Sequence, residues 1–170
     1  LTLPNGAEEG MLVYGLEDFT RWGMPWAIDS GNLEDLRRGA YMFLDASAER
    51  RFGKFAVGDY REVMGRRVKI IGRSREALSF TTSPIAFLTY DLVQELSGGR
   101  MDGRTTYILV RLAPNADATA VAEELRRRLP HNDVYTKAAW AKRSRSYWVA
   151  STGIGLNMYL TVFLGCLVGV

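Results

Sequence analysis

Hydrophobic and polar positions change their pattern abruptly near the C-terminal end of the chain. Arg145 is the last charged residue, and residues 154–170 read IGLNMYLTVFLGCLVGV, with Asn157 and Thr161 as the polar interruptions. At about 1.5 Å per residue this run spans roughly 26 Å as a helix, close to the roughly 30 Å of a bilayer core. A surface helix of a soluble protein normally carries a polar stripe, which this run lacks. The pattern predicts a transmembrane helix over residues 146–170, truncated before its far end; the alternative is a buried C-terminal helix of a soluble domain.

Upstream of that run, the apolar positions form short segments separated by glycine, proline and hydroxyl-rich turns, a pattern that predicts strands. Five strands are expected here, over residues 10–16, 41–44, 67–71, 77–80 and 85–88. Short helices are expected between them: at residues 32–36, from a cap at Ser47 to Gly53, and from Thr89 or Asp91 to Leu96.

The clearest local unit lies between residues 105 and 130. Residues 105–112 (TTYILVRL) are rich in β-branched and aromatic side chains, which predicts a strand. Asp117 is placed to cap the helix that follows, and the apolar residues of that helix fall on one stripe: Ala118, Val121, Ala122, Leu125 and Leu129. A brief strand is predicted at residues 134–135. Thr136 is expected to cap a last helix that continues unbroken into the membrane run.

The predicted order of elements at each end of the chain is strand, helix, strand, helix. This order predicts an α+β fold built on a split βαβ core. Residues 1–55 and 104–145 are expected to form this α/β lobe, and residues 56–103 an inserted, smaller, β-rich lobe. Residues 146–170 are expected to begin a transmembrane helix. Because the chain starts at Leu1 and stops inside an apolar run, we expect it to be a piece of a longer protein.

Composition narrows the classes of function. The chain has 170 residues, and its 47% hydrophobic and 24% charged residues exclude a disordered chain. A net charge of +3 is too small to predict nucleic-acid binding. Because there is one cysteine and one histidine, the sequence excludes an internal disulfide framework and a zinc site built from His and Cys.

Sequence signatures of catalysis are missing as well. The chain has no Walker loop, no Gly-x-Gly-x-x-Gly after a strand, no Gly-x-Ser-x-Gly and no His-Glu-x-x-His. His131 lies beside Pro130 in a predicted turn, and Cys166 lies in the apolar run, where thiolate chemistry is disfavoured. Asp45 follows a strand without an identifiable partner, which favours a capping or turn role. The sequence therefore predicts a non-catalytic protein with no cofactor and no metal.

Two groups of residues are candidates for contact with a partner. Phe19, Trp22 and Trp26 would form an aromatic patch if they were exposed, and such patches mark contact sites. A hydroxyl-rich turn between strands supplies the second group: Phe80, Thr81 and Thr82. The alternatives are that the aromatic rings cover the core and that the hydroxyls satisfy the backbone of the turn. Lys142, Arg143 and Arg145, just before the apolar run, are placed to contact lipid headgroups.

Four stretches of this sequence resemble one family of membrane proteins. They are residues 29–36 (DSGNLEDL), residues 66–72 (RRVKIIG) running on to residues 79–84 (SFTTSP), residues 107–129, and Thr136 with the apolar run after it. Together they resemble the extracytoplasmic domain between the first two membrane helices of ABC exporter permeases of the MacB/FtsX type. Within that family they are most similar to the DevC branch.

The resemblance implies a porter-like, ferredoxin-like α/β lobe with a smaller inserted lobe, on the periplasmic side of the inner membrane. It implies docking of a periplasmic membrane-fusion adaptor, a separate cytoplasmic ATPase subunit, a homodimeric permease in the lipid bilayer, and no nucleic-acid partner. The domain would transmit motion from the ATPase to drive substrate export. The basic residues before the span would favour a cytoplasmic domain, but that tendency weakens for domains longer than about 60 residues, so the resemblance outweighs it.

Two other classes of protein fit parts of the pattern. One is a receptor whose extracytoplasmic domain senses a small ligand; it would carry a signalling module after Val170, where a permease would carry further spans. The other is a soluble binding module whose C-terminal helix belongs to the core. In that case a fragment ending at Arg145 would misfold, whereas the membrane interpretations predict a folded, soluble fragment.

Overall fold

The computed structural model describes residues 1–3, 6–19, 25, 27–77 and 83–168. Contacts between Cα atoms divide the chain into two compact units, Leu1–Tyr107 and Ile108–Val170. The first unit contains the sheet and the described hydrophobic core, whereas the second is helical.

A mixed, six-stranded sheet organises the first unit. Its strands are β1 (Leu12–Leu16), β2 (Ile28–Ser30), β3 (Tyr41–Asp45), β4 (Tyr60–Val63), β5 (Arg66–Ser74) and β6 (Ile85–Thr89). The order is β1-β6-β3-β5-β2, and β4 pairs with the first half of β5. The β1–β6 and β3–β5 pairs are parallel, and the other pairs are antiparallel. A mixed α/β fold with a mixed sheet is therefore observed.

The helices of this unit are short. They are α1 (Glu49–Phe52), α2 (Tyr90–Leu96), and 3₁₀ turns over Leu33–Arg38 and Ala46–Ala48. The predicted cap at Thr89 forms, because its hydroxyl accepts from the Leu92 N–H at 3.3 Å. The Asn32 side-chain carbonyl caps the first 3₁₀ turn by accepting from the Glu34 N–H at 3.0 Å. These bonds pair N–H groups that have no partner within the helix. The predicted cap at Ser47 is wrong: Ser47 lies inside the 3₁₀ turn that Asp45 caps, and no side chain caps α1.

Two clusters of buried side chains cover the two faces of the sheet. The larger contains twelve residues: Met42, Leu44, Ala48, Phe52, Phe55, Val63, Val68, Ile70, Ala86, Leu88, Leu92 and Leu96. The smaller contains six: Phe19, Leu36, Phe43, Ala77, Ile85 and Phe87. Successive residues of a strand point to opposite faces, so the central strands β3 and β6 supply both clusters and are apolar almost throughout.

Phe43 lies across the backbone of the neighbouring strand. Its residue partner in the parallel β3–β5 ladder is Gly72, and a Cβ atom added there would lie 2.1 Å from the Phe43 ring. Gly31 approaches the same place from the end of β2 with φ +97°, and a Cβ atom on it would lie 2.4 Å from the Ile71 carbonyl oxygen. The two glycines therefore create the space that the phenyl ring fills.

The predicted inserted lobe over residues 56–103 is corrected by the strand pairing. β5 pairs with β3, and β6 pairs with both β1 and β3. β1 and β3 come from residues 1–55, which were predicted to form the main lobe. Residues 56–103 therefore supply central strands of the same sheet and do not form a separate lobe. Strand spacing alone predicts which segments are strands but not which of them pair. The strand predicted over residues 77–80 lies largely outside the described residues.

The second unit contains α3 (Ala118–Arg128), α4 (Lys137–Ser146), a π-helical turn (Tyr147–Ser151) and α5 (Gly153–Val168). The predicted caps of its first two helices are confirmed: an Asp117 carboxylate oxygen accepts from the Thr119 N–H at 2.8 Å, and the Thr136 hydroxyl accepts from the Ala139 N–H at 3.2 Å.

The strands predicted over residues 105–112 and 134–135 are wrong. Neither segment is assigned to a strand, and Tyr107, Ile108, Leu109 and Val110 are between 58% and 74% exposed. Intrinsic β-propensity becomes a strand only where a neighbouring strand accepts the backbone hydrogen bonds. The main lobe predicted to combine residues 1–55 with 104–145 is divided accordingly, because its C-terminal part from Ile108 onward belongs to the second unit.

The helix expected to run unbroken from Thr136 into the apolar run is interrupted. Thr152 adopts an extended conformation with φ −116° and ψ 154°, between the π-helical turn and α5. A Cβ atom on Gly155 would lie 1.8 Å from the Val149 carbonyl oxygen, so this close approach depends on glycine. In the described part of the chain, no single helix is long and apolar enough to cross a membrane. The helical stretches Lys137–Ser151 and Gly155–Val168, bent by 63°, meet that length and hydropathy requirement together.

Candidate functional site

The structure changes the prediction for Phe19, the one described member of the six candidate contact residues. Its side chain is fully buried in the smaller core cluster, and the Arg37 guanidinium lies over its ring at 5.0 Å from the centroid. Phe19 therefore packs the core and presents no aromatic surface, because burial of the ring is worth more than its exposure. The other five candidates lie outside the described residues: Trp22, Trp26, Phe80, Thr81 and Thr82.

A cleft of about 500 Å³ lies beside Phe19 in the first unit. Leu36 and Arg37 line one side, and Tyr90 and Glu95 from α2 line the other. An Arg66–Glu95 ion pair is part of the same wall. Both cations and carboxylates line the cleft. Its electrostatic potential is therefore mixed in sign and would not concentrate a charged ligand.

Asp45 fixes the start of the hydroxyl-rich segment. The carboxylate is fully buried at the end of β3 and accepts three hydrogen bonds, each 2.9 Å long: from the Ser47 N–H, the Ser74 hydroxyl and the Ala77 N–H. The predicted capping role is confirmed by the bond to Ser47, which lies in the 3₁₀ turn after β3. The bonds to Ser74 and Ala77 add a second role that the sequence did not predict, since they join the end of β3 to the end of β5 and to the residue before the segment 78–82.

Ion pairs connect the ends of β2 and β5 with α1. The Arg73 guanidinium lies 2.8 Å from a Glu49 carboxylate oxygen and 3.6 Å from an Asp29 carboxylate oxygen, and Arg75 also pairs with Asp29. Arg73 also lies over the Phe55 ring, 5.3 Å from its centroid. Sequence reasoning missed this group because its members come together only through the pairing of β2 with β5.

No described residues form a group of three His, Cys, Asp or Glu side chains that would hold a metal ion. The buried carboxylate of Asp45 is already occupied by three internal donors.

The second unit has two adjoining surfaces of opposite character. Exposed cations Lys142, Arg143 and Arg145 lie in the last turns of α4, and we call them the basic collar. In α5 Gly155 is buried, whereas its large apolar side chains are exposed: Leu156, Met158, Tyr159, Leu160, Val162, Phe163, Leu164, Leu167 and Val168. Tyr147 and Trp148 lie between the two surfaces with their rings edge to face, 5.7 Å between centroids.

Comparison with known families identifies the family of this chain. The sequence profile of the MacB-like periplasmic core domain matches residues 2–128, which is most of the chain. The chain belongs to this family. Domains of this family are the extracytoplasmic parts of ABC-exporter permeases, on the periplasmic side of the inner membrane.

Among solved structures, the chain is similar to the periplasmic region of MacB from Actinobacillus actinomycetemcomitans. The two are 16% identical with a TM-score of 0.48, over 69% of this chain and 57% of that one. The chain therefore spans little more than half the length of that MacB region. No significant sequence match is found among curated proteins.

Proposed function

We propose that this MacB-like periplasmic core domain docks a membrane-fusion adaptor and transmits motion from a separate cytoplasmic ATPase, so that a homodimeric permease exports its substrate. The observation that carries the proposal is the family match over residues 2–128, followed by an exposed, uncharged helix. The domain would transmit motion, and the hydrolysis of ATP would take place in the ATPase.

The packing of the first unit is consistent with a domain that moves as one body. Both core clusters lie between Phe19 and Leu96, so this core is complete without α5. Asp45 and the Arg73 ion pairs connect the ends of three strands. A closely packed interior has low compressibility, so a displacement applied at one end is passed on rather than absorbed. The bend at Thr152 replaces the continuous lever expected from the sequence with two helical arms.

We assign the chain to the DevC branch of the permeases as part of the same proposal. Of the stretches that carry this resemblance, residues 29–36 and 66–72 are described. They meet at one edge of the sheet, where Gly31 packs on Gly72. Asp29, the first residue of the first stretch, pairs with Arg73 and Arg75, directly after the second.

The adaptor contact is assigned to Trp22 and Trp26 and to the segment containing Phe80, Thr81 and Thr82. The flanks of that segment are fixed to the sheet, because Ala77 donates to Asp45 and the Pro84 carbonyl accepts from the Leu12 N–H at 3.0 Å. Fixed flanks lower the conformational entropy that a loop loses when it binds. Tryptophan is enriched among the residues that dominate binding energies, which favours Trp22 and Trp26 as anchors.

Photo-crosslinking tests this contact in membranes that contain the permease, the ATPase and an adaptor encoded beside them. With benzoylphenylalanine in place of Trp26, we expect a covalent adduct with the adaptor. The matched control carries it in place of Tyr60, which is 47% exposed on β4, and we expect no adduct there. Adducts of equal yield at both positions, or none at Trp26, would contradict docking through the assigned surface.

Maleimide labelling in intact cells tests the membrane placement. Cys166 is exposed on α5, so it would react readily with a membrane-impermeant maleimide if α5 were in water. We expect no reaction in the native chain, because lipid covers the thiol. In a Val57→Cys, Cys166→Ser variant we expect rapid labelling, since residue 57 is 49% exposed in the first unit and faces the periplasm. Labelling of Cys166 in the native chain, or labelling of the variant only after the cells are opened, would refute the placement.

A further inference from the structure

We propose that the basic collar, Lys142, Arg143 and Arg145, binds the phosphate groups of anionic phospholipids at the surface that α5 enters. The inference rests on the proposed function, because it needs α5 in the bilayer. It assigns a partner, the headgroup of an anionic lipid, to the basic collar, which has no role in the proposed export function.

The charge of α4 is of one sign. Lys137 and the basic collar give the helix four cations, and its sequence, KAAWAKRSRS, contains no acid. In α3, by contrast, cations are neutralised within the helix, because Arg127 and Arg128 both pair with Glu124. Among the described residues, no carboxylate lies within ion-pair distance of the collar. A set of exposed cations without internal counter-ions attracts an external anion.

The positions of these cations suit one flat anionic surface. Lys142, Arg143 and Arg145 lie within roughly 5 Å of one another along the axis at about 1.5 Å per residue, and steps of about 100° place all three within an arc of about 160°. They therefore share one side of α4 and can face the same surface together. The 63° bend between the helical stretches Lys137–Ser151 and Gly155–Val168 allows α4 to run along the membrane surface while α5 enters the bilayer.

The neighbouring residues place the basic collar at headgroup depth. Tyr147 and Trp148 follow it directly, and amphipathic aromatic rings prefer the interface between water and lipid. The exposed apolar side chains of α5 begin at Leu156, roughly two helical turns beyond them. Two of the three collar residues are arginines, whose planar guanidinium donates two parallel hydrogen bonds to a phosphate. Phosphate is the shared anionic group of phospholipid headgroups.

Hydrogen–deuterium exchange of the full chain in vesicles tests the inference. One set of vesicles is phosphatidylcholine, and the other replaces about a third of it with phosphatidylglycerol to supply a negative surface. We expect the amides of α4 to exchange about tenfold more slowly in the anionic vesicles, because binding to the surface protects them from solvent. Each cation near such a surface contributes about one order of magnitude or less to the binding constant. Raising the salt concentration should remove the difference. The amides of α3 serve as an internal reference.

A charge-matched pair of variants isolates the collar. Lys142→Gln, Arg143→Gln, Arg145→Gln should abolish the dependence on anionic lipid. Arg50→Gln, Arg104→Gln, Arg111→Gln removes the same charge from exposed positions elsewhere and should leave it intact. Slow exchange of α5 in both vesicles together with equal exchange of α4 would overturn the collar alone. Fast exchange of α5 in both would overturn the membrane placement, and this inference with it.

Discussion

Replacing Gly72 with alanine is expected to lower the free energy of unfolding by about 3 kcal/mol, the upper part of the range for overpacked cores. The new Cβ atom would lie 2.1 Å from the Phe43 ring. The ring has little room to withdraw, because Phe43 is fully buried in the core. Gly31 lies beside the same edge of the ring: a Cβ atom on Gly31 would be 3.0 Å from Cζ, which a Cβ atom on Gly72 would also contact. Relief therefore requires β3 and β5 to separate, at the centre of the sheet.

Guanidinium unfolding of the chain in detergent micelles, followed by near-ultraviolet circular dichroism, measures this loss. The control is Gly10→Ala, because nothing lies within 4 Å of a Cβ atom at Gly10, and its free energy of unfolding should stay within about 0.5 kcal/mol of the native value. Combining Gly72→Ala with Phe43→Leu should cost less than the sum of the two single changes, since the smaller side chain makes room. Additive losses would show that ring and glycine do not compete for the same space.

Replacing Asp45 with alanine is expected to lower the free energy of unfolding by a similar amount, about 3 kcal/mol. The carboxylate accepts from Ser47, Ser74 and Ala77 in a fully buried site, so its removal leaves three donors without a partner. Each unsatisfied buried donor costs about 1 kcal/mol or more. Asp45→Asn should lose less, because the amide keeps one accepting oxygen.

Exchange of the Ala77 amide distinguishes this mechanism from a general loss of stability. We expect it to exchange much faster in Asp45→Ala than amides of β3, since its acceptor is gone while the strand remains paired. Asp35→Ala is the control: its carboxylate is partly exposed and pairs with Arg38, so an effect below about 1 kcal/mol is expected. If Asp45→Ala unfolds no more easily than Asp35→Ala, the three bonds contribute nothing to stability.

Local signals in the sequence predicted the local structure well. The cap predicted at Ser47 is wrong, because no side chain caps α1. Thr89, Asp117 and Thr136 cap the helices that the sequence predicts they cap. These assignments succeed because a cap depends on residues two or three positions apart. Strands over residues 41–44, 67–71 and 85–88 are present for a similar reason: a run of β-branched and apolar residues bounded by turns is a local feature.

Long-range arrangement was where prediction from the sequence failed. The inserted lobe and the paired strand at residues 105–112 both depended on which segments meet, and no pattern within a segment encodes its partner. Phe19 shows the same limit for the candidate site: the sequence identifies an aromatic residue but does not distinguish a ring that covers the core from one that faces a partner. The helix break at Thr152 was missed because an uncharged, apolar run conceals the two closely spaced glycines, Gly153 and Gly155.

The bend between the π-helical turn and α5 has a consequence for the proposed permease. In the proposed function the ATPase acts from the other side of the bilayer, so motion would have to pass through the segment around Thr152. Its backbone is extended there, and its hydroxyl bonds back to the Trp148 carbonyl. A joint of this kind lets the two helical arms change direction while both stay helical, which is the property of a hinge.

The parallel pairing of β1 with β6 also limits the order in which the first unit can fold. Leu12 finds its ladder partner at Ile85, so β1 can join the sheet only when β6 is available. Until the residues of β6 are available, β1 has no place in the sheet, and closing so long a loop slows folding. During that interval the uncharged, apolar residues of β1 are open to contacts with other unpaired strands, which is the usual route to misfolding.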